Sequence, residues 1–65
     1  MVKVTRLNGA EYYINPHQIE YMETRPDTTI TMLNGKSVVV QEKMPVVIDR
    51  IIEYRRRIGA FKNEE

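Results

Sequence analysis

Few side chains in this sequence have the types and spacing that catalysis requires. Ser37 is the single serine, His17 is the single histidine, and cysteine is absent. Because the serine and the histidine fall in separate predicted turns or strands, we expect no nucleophile with an imidazole base. Glu20 and Glu23 lie in one predicted strand, three residues apart, so their side chains point to opposite faces and do not form a paired acid and base. We therefore predict that the chain is not an enzyme.

The sequence also gives little support for a cofactor, a metal or a small-molecule substrate. The glycines at positions 9, 35 and 59 are spaced for two turns and one helix end. They do not form the glycine-rich run between a strand and a helix that binds phosphate. With one histidine and no cysteine, a zinc site would need mostly carboxylate ligands, an improbable set. We expect no cofactor, and we interpret His17 as a surface loop residue.

A run of basic residues beside a tyrosine is the feature that best suits nucleic acid. Tyr54 is followed by three arginines, and aromatic and cationic side chains together can bind RNA, DNA or acidic lipid. The competing interpretation is an ordinary helix end, because cations are stabilising near the negative end of the helix dipole and Glu53 dilutes their charge. We favour the helix end and keep the three arginines as candidate partner contacts: Arg55, Arg56 and Arg57.

The length and the charge of the chain limit its class. A chain of 65 residues forms one domain with a thin core, since a domain this small buries only about 60% of the surface that its unfolded chain exposes. Such domains commonly gain stability from disulfides, a metal or a partner subunit, and we expect a homo-oligomer. Ten Lys and Arg against nine Asp and Glu give a net charge of +1, which by itself selects no ligand.

Two hairpins are predicted from alternating apolar and polar residues around Asn-Gly pairs. The first has strands over residues 2–7 and 10–14, joined at Asn8-Gly9. Asn-Gly favours a type I′ turn, in which both residues take positive φ. The second hairpin repeats the pattern with strands over 28–33 and 36–40, joined at Asn34-Gly35.

A further strand is predicted between the two hairpins. Asn15-Pro16 ends the preceding strand, because proline donates no backbone hydrogen bond and the asparagine side chain can close a turn. Residues 18–23 then resume the alternation, with Ile19 and Tyr21 expected on one face. The count of predicted strands is five.

The C-terminal part of the chain has the apolar period of a helix from about Met44. Pro45 suits the first helical turn, and Gly59 is typical of the residue that ends a helix. We expect the helix to lay its aliphatic stripe on the sheet and to bury four such side chains. The prediction is one α+β domain over residues 1–58 with a frayed tail at 59–65. The stripe consists of Val47, Ile48, Ile51, Ile52 and Ile58.

Short motifs run from the first strand to the helix. In the strands they are Val4-Thr5-Arg6-Leu7-Asn8-Gly9, Tyr13-Ile14-Asn15-Pro16, Ile19-Glu20 and Pro26-Asp27-Thr28. They continue with Ile30-Thr31, Asn34-Gly35-Lys36, Val39-Val40, Glu42 and Val47-Ile48-Asp49-Arg50-Ile51-Ile52-Glu53-Tyr54-Arg55-Arg56. Together they resemble the FlbD/SwrD family of small flagellar and swarming motility proteins. The chain departs from the family at Lys43-Met44-Pro45, where a small polar cap and an acidic first turn are usual.

The resemblance implies a non-enzymatic flagellar accessory that supports motor power by helping stator units to engage or function. The implied partners are motor or stator proteins and the chain itself. The family offers no catalytic residues to carry over, so only exposed residues of the matched motifs serve as candidate contacts. Turn chemistry already accounts for the two asparagines and the proline among them. The candidates are Arg6, Asn8, Asn15, Pro16 and Asp27.

An alternative function is nucleic-acid binding. Thr5-Arg6 on the first strand and the order of five strands and one helix are similar to the CsrA family of RNA-binding regulators. The net charge of +1 means that basic residues would have to cluster across subunits to bind phosphate. We expect neither a secretion signal nor a membrane-inserted segment. The expected location is the cytoplasm, with an association at the flagellar base.

Overall fold

The computed structural model describes residues 1–59 and has the predicted α+β fold. Five antiparallel strands precede one helix, and a short 3-10 turn separates the second strand from the third. The elements are β1 Val2–Thr5, β2 Glu11–Ile14, the 3-10 turn Pro16–Gln18, β3 Ile19–Glu23, β4 Thr28–Met32, β5 Ser37–Val40 and α1 Met44–Arg57.

The strands form two small antiparallel sheets, one made of β1 and β2 and the other of β3, β4 and β5 in that order. The two sheets meet at the C-terminal end of β1, just before the loop of the first hairpin. Arg6 forms an isolated antiparallel bridge with Val40, and the Gln41 backbone N–H donates to the Thr5 carbonyl at 2.8 Å. The end of β1 therefore lies beside the end of β5.

The first hairpin turns through a three-residue loop, Leu7 to Gly9. The Gly9 N–H donates to the Arg6 carbonyl at 2.9 Å, and Gly9 has φ +90° whereas Asn8 does not have positive φ. This is a type I turn followed by a left-handed glycine, so the predicted type I′ turn was wrong. The Asn8 side chain instead accepts a hydrogen bond from the Ala10 N–H at 2.9 Å, which closes the loop without positive φ at the asparagine.

The second hairpin repeats this geometry with the same three residue types. The Gly35 N–H donates to the Met32 carbonyl at 2.9 Å, Gly35 has φ +88°, and Asn34 Oδ1 accepts from the Lys36 N–H at 2.9 Å. Each loop leaves a leucine at its tip, Leu7 with 55% and Leu33 with 57% of its surface exposed.

An irregularity in β3 changes which residues face the core. Ile19 pairs with Met32 and Tyr21 with Thr31, so the register shifts between Ile19 and Tyr21. After the shift, Met22 packs against the core while Tyr21 is half exposed. The prediction that Ile19 and Tyr21 share a face was wrong, because the extra residue in β3 reverses the alternation.

The core is aliphatic and built mostly from the strands, where alternate residues point inward. Ile30 and Val4 are completely buried at its centre. The helix contributes one fully buried side chain, Val47. The buried hydrophobic residues are Val2, Val4, Ile14, Ile30, Val38, Val40 and Val47.

The helix turns a different face to the sheet than its apolar stripe predicts. Val47 and Ile51 face the core together with Tyr54, whereas Ile48, Ile52 and Ile58 are 41%, 39% and 51% exposed. The prediction that four aliphatic side chains of the helix are buried was therefore wrong. The small sheets do not cover both sides of the stripe, and the side that packs is the one that also contains Arg50.

The predicted helix ends agree with the structure. Lys43 is the N-cap and makes no side-chain capping bond, and Pro45 lies in the first turn. The helix ends at Arg57 with Ile58 as the C-cap. Gly59 follows this cap with φ +79°, and its N–H donates to the Arg56 carbonyl at 3.2 Å. The predicted frayed tail lies outside the described residues except for Gly59.

Candidate functional site

A polar cluster around Glu42 joins the start of the helix to β1. Glu42 Oε1 accepts from the Thr5 N–H and Oε2 from the Thr5 hydroxyl, both at 2.9 Å. The Arg50 Nη1 donates to Glu42 Oε2 at 2.8 Å and to the Lys3 carbonyl at 2.9 Å. Strand, loop and helix are thus held by one carboxylate and one guanidinium.

The charge of Glu42 is stabilised inside this cluster. Burial acts to raise the pKa of the carboxyl, but the hydrogen bonds from the backbone, the Thr5 hydroxyl and Arg50 outweigh it, so its pKa lies below the ordinary 4.5. The Glu42 side chain is only 10% exposed. The carboxylate therefore remains ionised at neutral pH. We assign the cluster the role of positioning the helix relative to β1.

Sequence reasoning missed the partnership of Glu42 with Arg50. Both residues appeared in the sequence only as positions within the matched motifs. The available signal was the position of Arg50, three residues after Val47 and four before Tyr54, on the face that turned out to pack. A charged residue on the side of a helix that faces the core implies a polar partner nearby, because burying an unpaired charge is unfavourable.

The first hairpin presents Arg6, Leu7 and Asn8 beside the start of the helix. The Arg6 guanidinium lies over the Tyr12 ring, 4.2 Å from the ring centre. The Gln41 side-chain amide donates to the carbonyls of Arg6 and Leu7 at 3.0 and 3.3 Å. These contacts fix the loop backbone and leave the Leu7 side chain exposed.

We name the hollow next to this loop the end cleft. It has a volume of about 530 Å³ and lies between the first hairpin loop, the turn before β4 and the start of the helix. The cleft brings the predicted contact Asp27 close to Leu7, which lies between Arg6 and Asn8, although Asp27 is distant from that loop in sequence. Its walls include Leu7, Pro26, Asp27, Gln41, Lys43 and Met44.

Asn15 and Pro16 lie elsewhere and have local structural roles. Asn15 Oδ1 accepts from the His17 N–H at 3.0 Å, and the Asn15 carbonyl accepts from the Gln18 N–H at 2.9 Å. Pro16 is buried. His17 is exposed and makes an edge-on contact with the Tyr54 ring at 6.2 Å between ring centres, so this turn supports the C-terminal half of the helix.

The three arginines of the helix end do not form one patch. Arg57 Nε donates to Glu53 Oε1 at 3.3 Å, and Arg56 lies 3.8 Å from the other oxygen of the same carboxylate. Arg55 is half-buried on another side of the helix, and its Nε is buried with no hydrogen-bond partner among the described residues. The three candidate contacts are therefore split between two faces of the helix.

Arg55 lies at the margin of an apolar hollow that we name the helix groove. The groove has a volume of about 420 Å³ and runs between the helix and the segment from the 3-10 turn to β3. It contains the side of the helical stripe that the sheets do not cover. It is lined by Pro16, Ile19, Met22, Ile48, Ile51, Ile52 and Arg55.

Within residues 1–59, no group of three or more histidine, cysteine, aspartate or glutamate side chains is arranged to hold a metal ion. The described helix is too short and too polar to span a membrane. The end cleft and the helix groove are two of the surface hollows of the described chain.

Comparison with known proteins gives the class. The family model for FlbD, described as flagellar and swarming motility proteins, matches residues 1–59. The match covers nearly all of the 65 residues, so the chain belongs to this family, as its motifs predicted. No curated protein and no solved structure gave a significant match.

Proposed function

We propose that the chain is a non-enzymatic accessory that supports the power of the flagellar motor by contacting motor or stator components on their cytoplasmic side. Membership of the flagellar and swarming motility family over residues 1–59 carries the proposal. The shape of the described surface supports it, because exposed apolar side chains border shallow hollows of the kind that bind proteins.

The end cleft is the surface that we assign to the motor partner. It combines an exposed leucine with charged groups of both signs, Asp27 and Lys43. Interfaces of this composition use an apolar anchor for affinity and the surrounding charges for orientation. Leu7 is a suitable anchor because Gln41 holds its backbone in place, so little conformational freedom is lost on binding.

The function is tested first in a flagellated bacterium that encodes the chain. Deletion of the gene is expected to leave flagellar number and length unchanged and to lower the torque measured on tethered cells or attached beads. Expression of the chain from a second locus should restore torque. Normal torque in the deletion strain would refute the proposal.

The two hairpin loops provide a matched pair of variants for the end cleft. Leu7→Ser and Leu33→Ser change the same residue in the same loop geometry at nearly equal exposure, so both should fold equally well. Only Leu7→Ser is expected to lower torque, because only Leu7 lines the end cleft. Equal torque in the two strains would remove the cleft as the contact.

Affinity capture of the tagged chain with and without nuclease distinguishes the proposed function from the nucleic-acid alternative. Motor or stator components that are retained in both conditions would support the proposed function. Transcripts that are retained only without nuclease would favour the RNA regulator, and replacement of Arg56 and Arg57 should then abolish their recovery, since phosphate binding depends on such cations.

A further inference from the structure

The helix groove is suited to self-association, whether or not the chain has the proposed motility function. We propose that two copies of the chain form a dimer by packing their helices antiparallel across this groove. The interface would be centred on Ile52 and flanked by Asp49 at one end and by Arg55 and Arg56 at the other.

The described chain leaves an apolar side of the helix uncovered. Ile48 and Ile52 are 41% and 39% exposed and adjoin half-buried Ile51, Ile19 and Met22 in one continuous hollow. Aliphatic side chains at this spacing form a stripe along one side of a helix. Covering such a stripe is the main source of free energy in helix packing.

The charges along this side of the helix are self-complementary. Asp49 is exposed and Arg55 is half-buried, and neither forms an ion pair with any residue from 1 to 59. Asp49 precedes Ile52 by three residues, and Arg55 follows it by three. A two-fold axis near Ile52 therefore brings the Asp49 of each copy level with the arginines of the other.

The charges also select the antiparallel arrangement. A parallel pair would place the arginine-rich helix ends beside each other, where one glutamate, Glu53, faces three arginines in each copy. The antiparallel pair separates these ends and sets each against the half of the helix that contains Asp49. In the antiparallel pair, the positive end of each helix dipole also lies beside the negative end of the other.

The interface must also be large enough. A specific interface buries at least about 1,000 Å² in total, which is about 500 Å² from each copy, or roughly a tenth of the 4723 Å² of accessible surface. The helix groove supplies only part of that area, so the dimer must also bury the exposed side of the 14-residue helix, which is about 21 Å long.

The test is the mass of the full-length chain in solution, measured by sedimentation over a range of micromolar concentrations. We expect a monomer–dimer equilibrium. Ile52→Glu should raise the dimer dissociation constant by roughly a hundredfold, because the charge enters the centre of the interface twice. Leu33→Glu adds the same charge to an exposed leucine outside the groove and should leave the constant unchanged.

A charge exchange tests the orientation. Asp49→Arg alone and Arg56→Asp alone should each raise the dissociation constant by about tenfold, and the double exchange should restore most of the affinity. Circular dichroism confirms that each variant is folded. A wild-type chain that stays monomeric, an Ile52→Glu variant that still dimerises, or a double exchange no better than the singles would overturn the proposal.

Discussion

The two sides of the helix differ in what covers them, although both are aliphatic. Val47 is completely buried, while its neighbour Ile48 is 41% exposed. The packed side has Val47, Ile51 and Tyr54 against the core. On the same side, Arg50 donates to Glu42 and to the Lys3 carbonyl. The side of the helix that becomes core therefore combines apolar packing with a polar contact, and the other side has only its aliphatic residues.

The largest expected effect is on the packed side. Val47→Ala removes two methyl groups from a site without solvent exposure, and we expect it to lower the free energy of unfolding by about 2 kcal/mol. Chemical denaturation followed by circular dichroism measures the loss. A change as small as that of Ile48→Ala would mean that Val47 is not at the centre of the helix–sheet contact.

The next effect comes from the polar cluster. Glu42→Gln keeps the shape of the side chain but removes the charge that accepts from Thr5 and Arg50, so we expect a loss of about 1 to 2 kcal/mol in the free energy of unfolding. Glu53→Gln is the matched control, because Glu53 pairs with arginines on the surface, where ion pairs contribute little. Equal losses in the two variants would contradict the positioning role of Glu42.

The same cluster predicts a pH dependence. Because the pKa of Glu42 is lower in the folded chain than its ordinary value of 4.5, its stabilising contribution is complete above that value. It declines as the pH falls through 4.5 towards the folded pKa. The difference in unfolding free energy between wild type and Glu42→Gln should therefore narrow in acid. A difference that stays constant from neutral pH to below the folded pKa would refute this linkage.

The smallest loss of stability is expected on the side of the helix that lines the helix groove. Ile48→Ala should change the free energy of unfolding of the monomer by no more than about 0.5 kcal/mol, as for most surface substitutions. The measurement is made at a protein concentration where wild type sediments as a monomer. A loss near that of Val47→Ala would show that the helix groove is covered within a single chain.

Local sequence patterns predicted much of this fold. The five strands, both hairpins, the helix from Met44 and its end at Gly59 all agree with the structure. Each follows from alternation, helical spacing or the conformational freedom of glycine, which act over a few residues. The motifs also led to the family that the whole-chain match confirms.

The errors concern the length of one loop and the register of one strand. The type I′ prediction failed because the Asn8 side chain bonds to Ala10, which favours a three-residue loop over the two-residue turn that Asn-Gly usually forms. The face of β3 was wrong because its register shifts against β4. The alternation of apolar and polar residues within one strand shows neither the length of the next loop nor a register shift against another strand.

The candidate site was predictable only in part. The sequence identified Arg6, Asn8 and Asp27 but could not place them near one cleft, since the first hairpin and the turn before β4 meet only through the packing of the two sheets. It also grouped three arginines that the helix separates onto two faces. Spacing in sequence does not give the rotation of a helix about its axis.

The sequence by itself determined the class of fold, the order of the elements and the family, because these depend on short-range preferences and on motifs. The tertiary structure decided which side of the helix is buried and brought Glu42 into bonds with Thr5 and Arg50. It thereby left Ile48 and Ile52 at the surface. The physical reason is that a partly buried carboxylate must be paired, and its partner is found only when strand and helix come together.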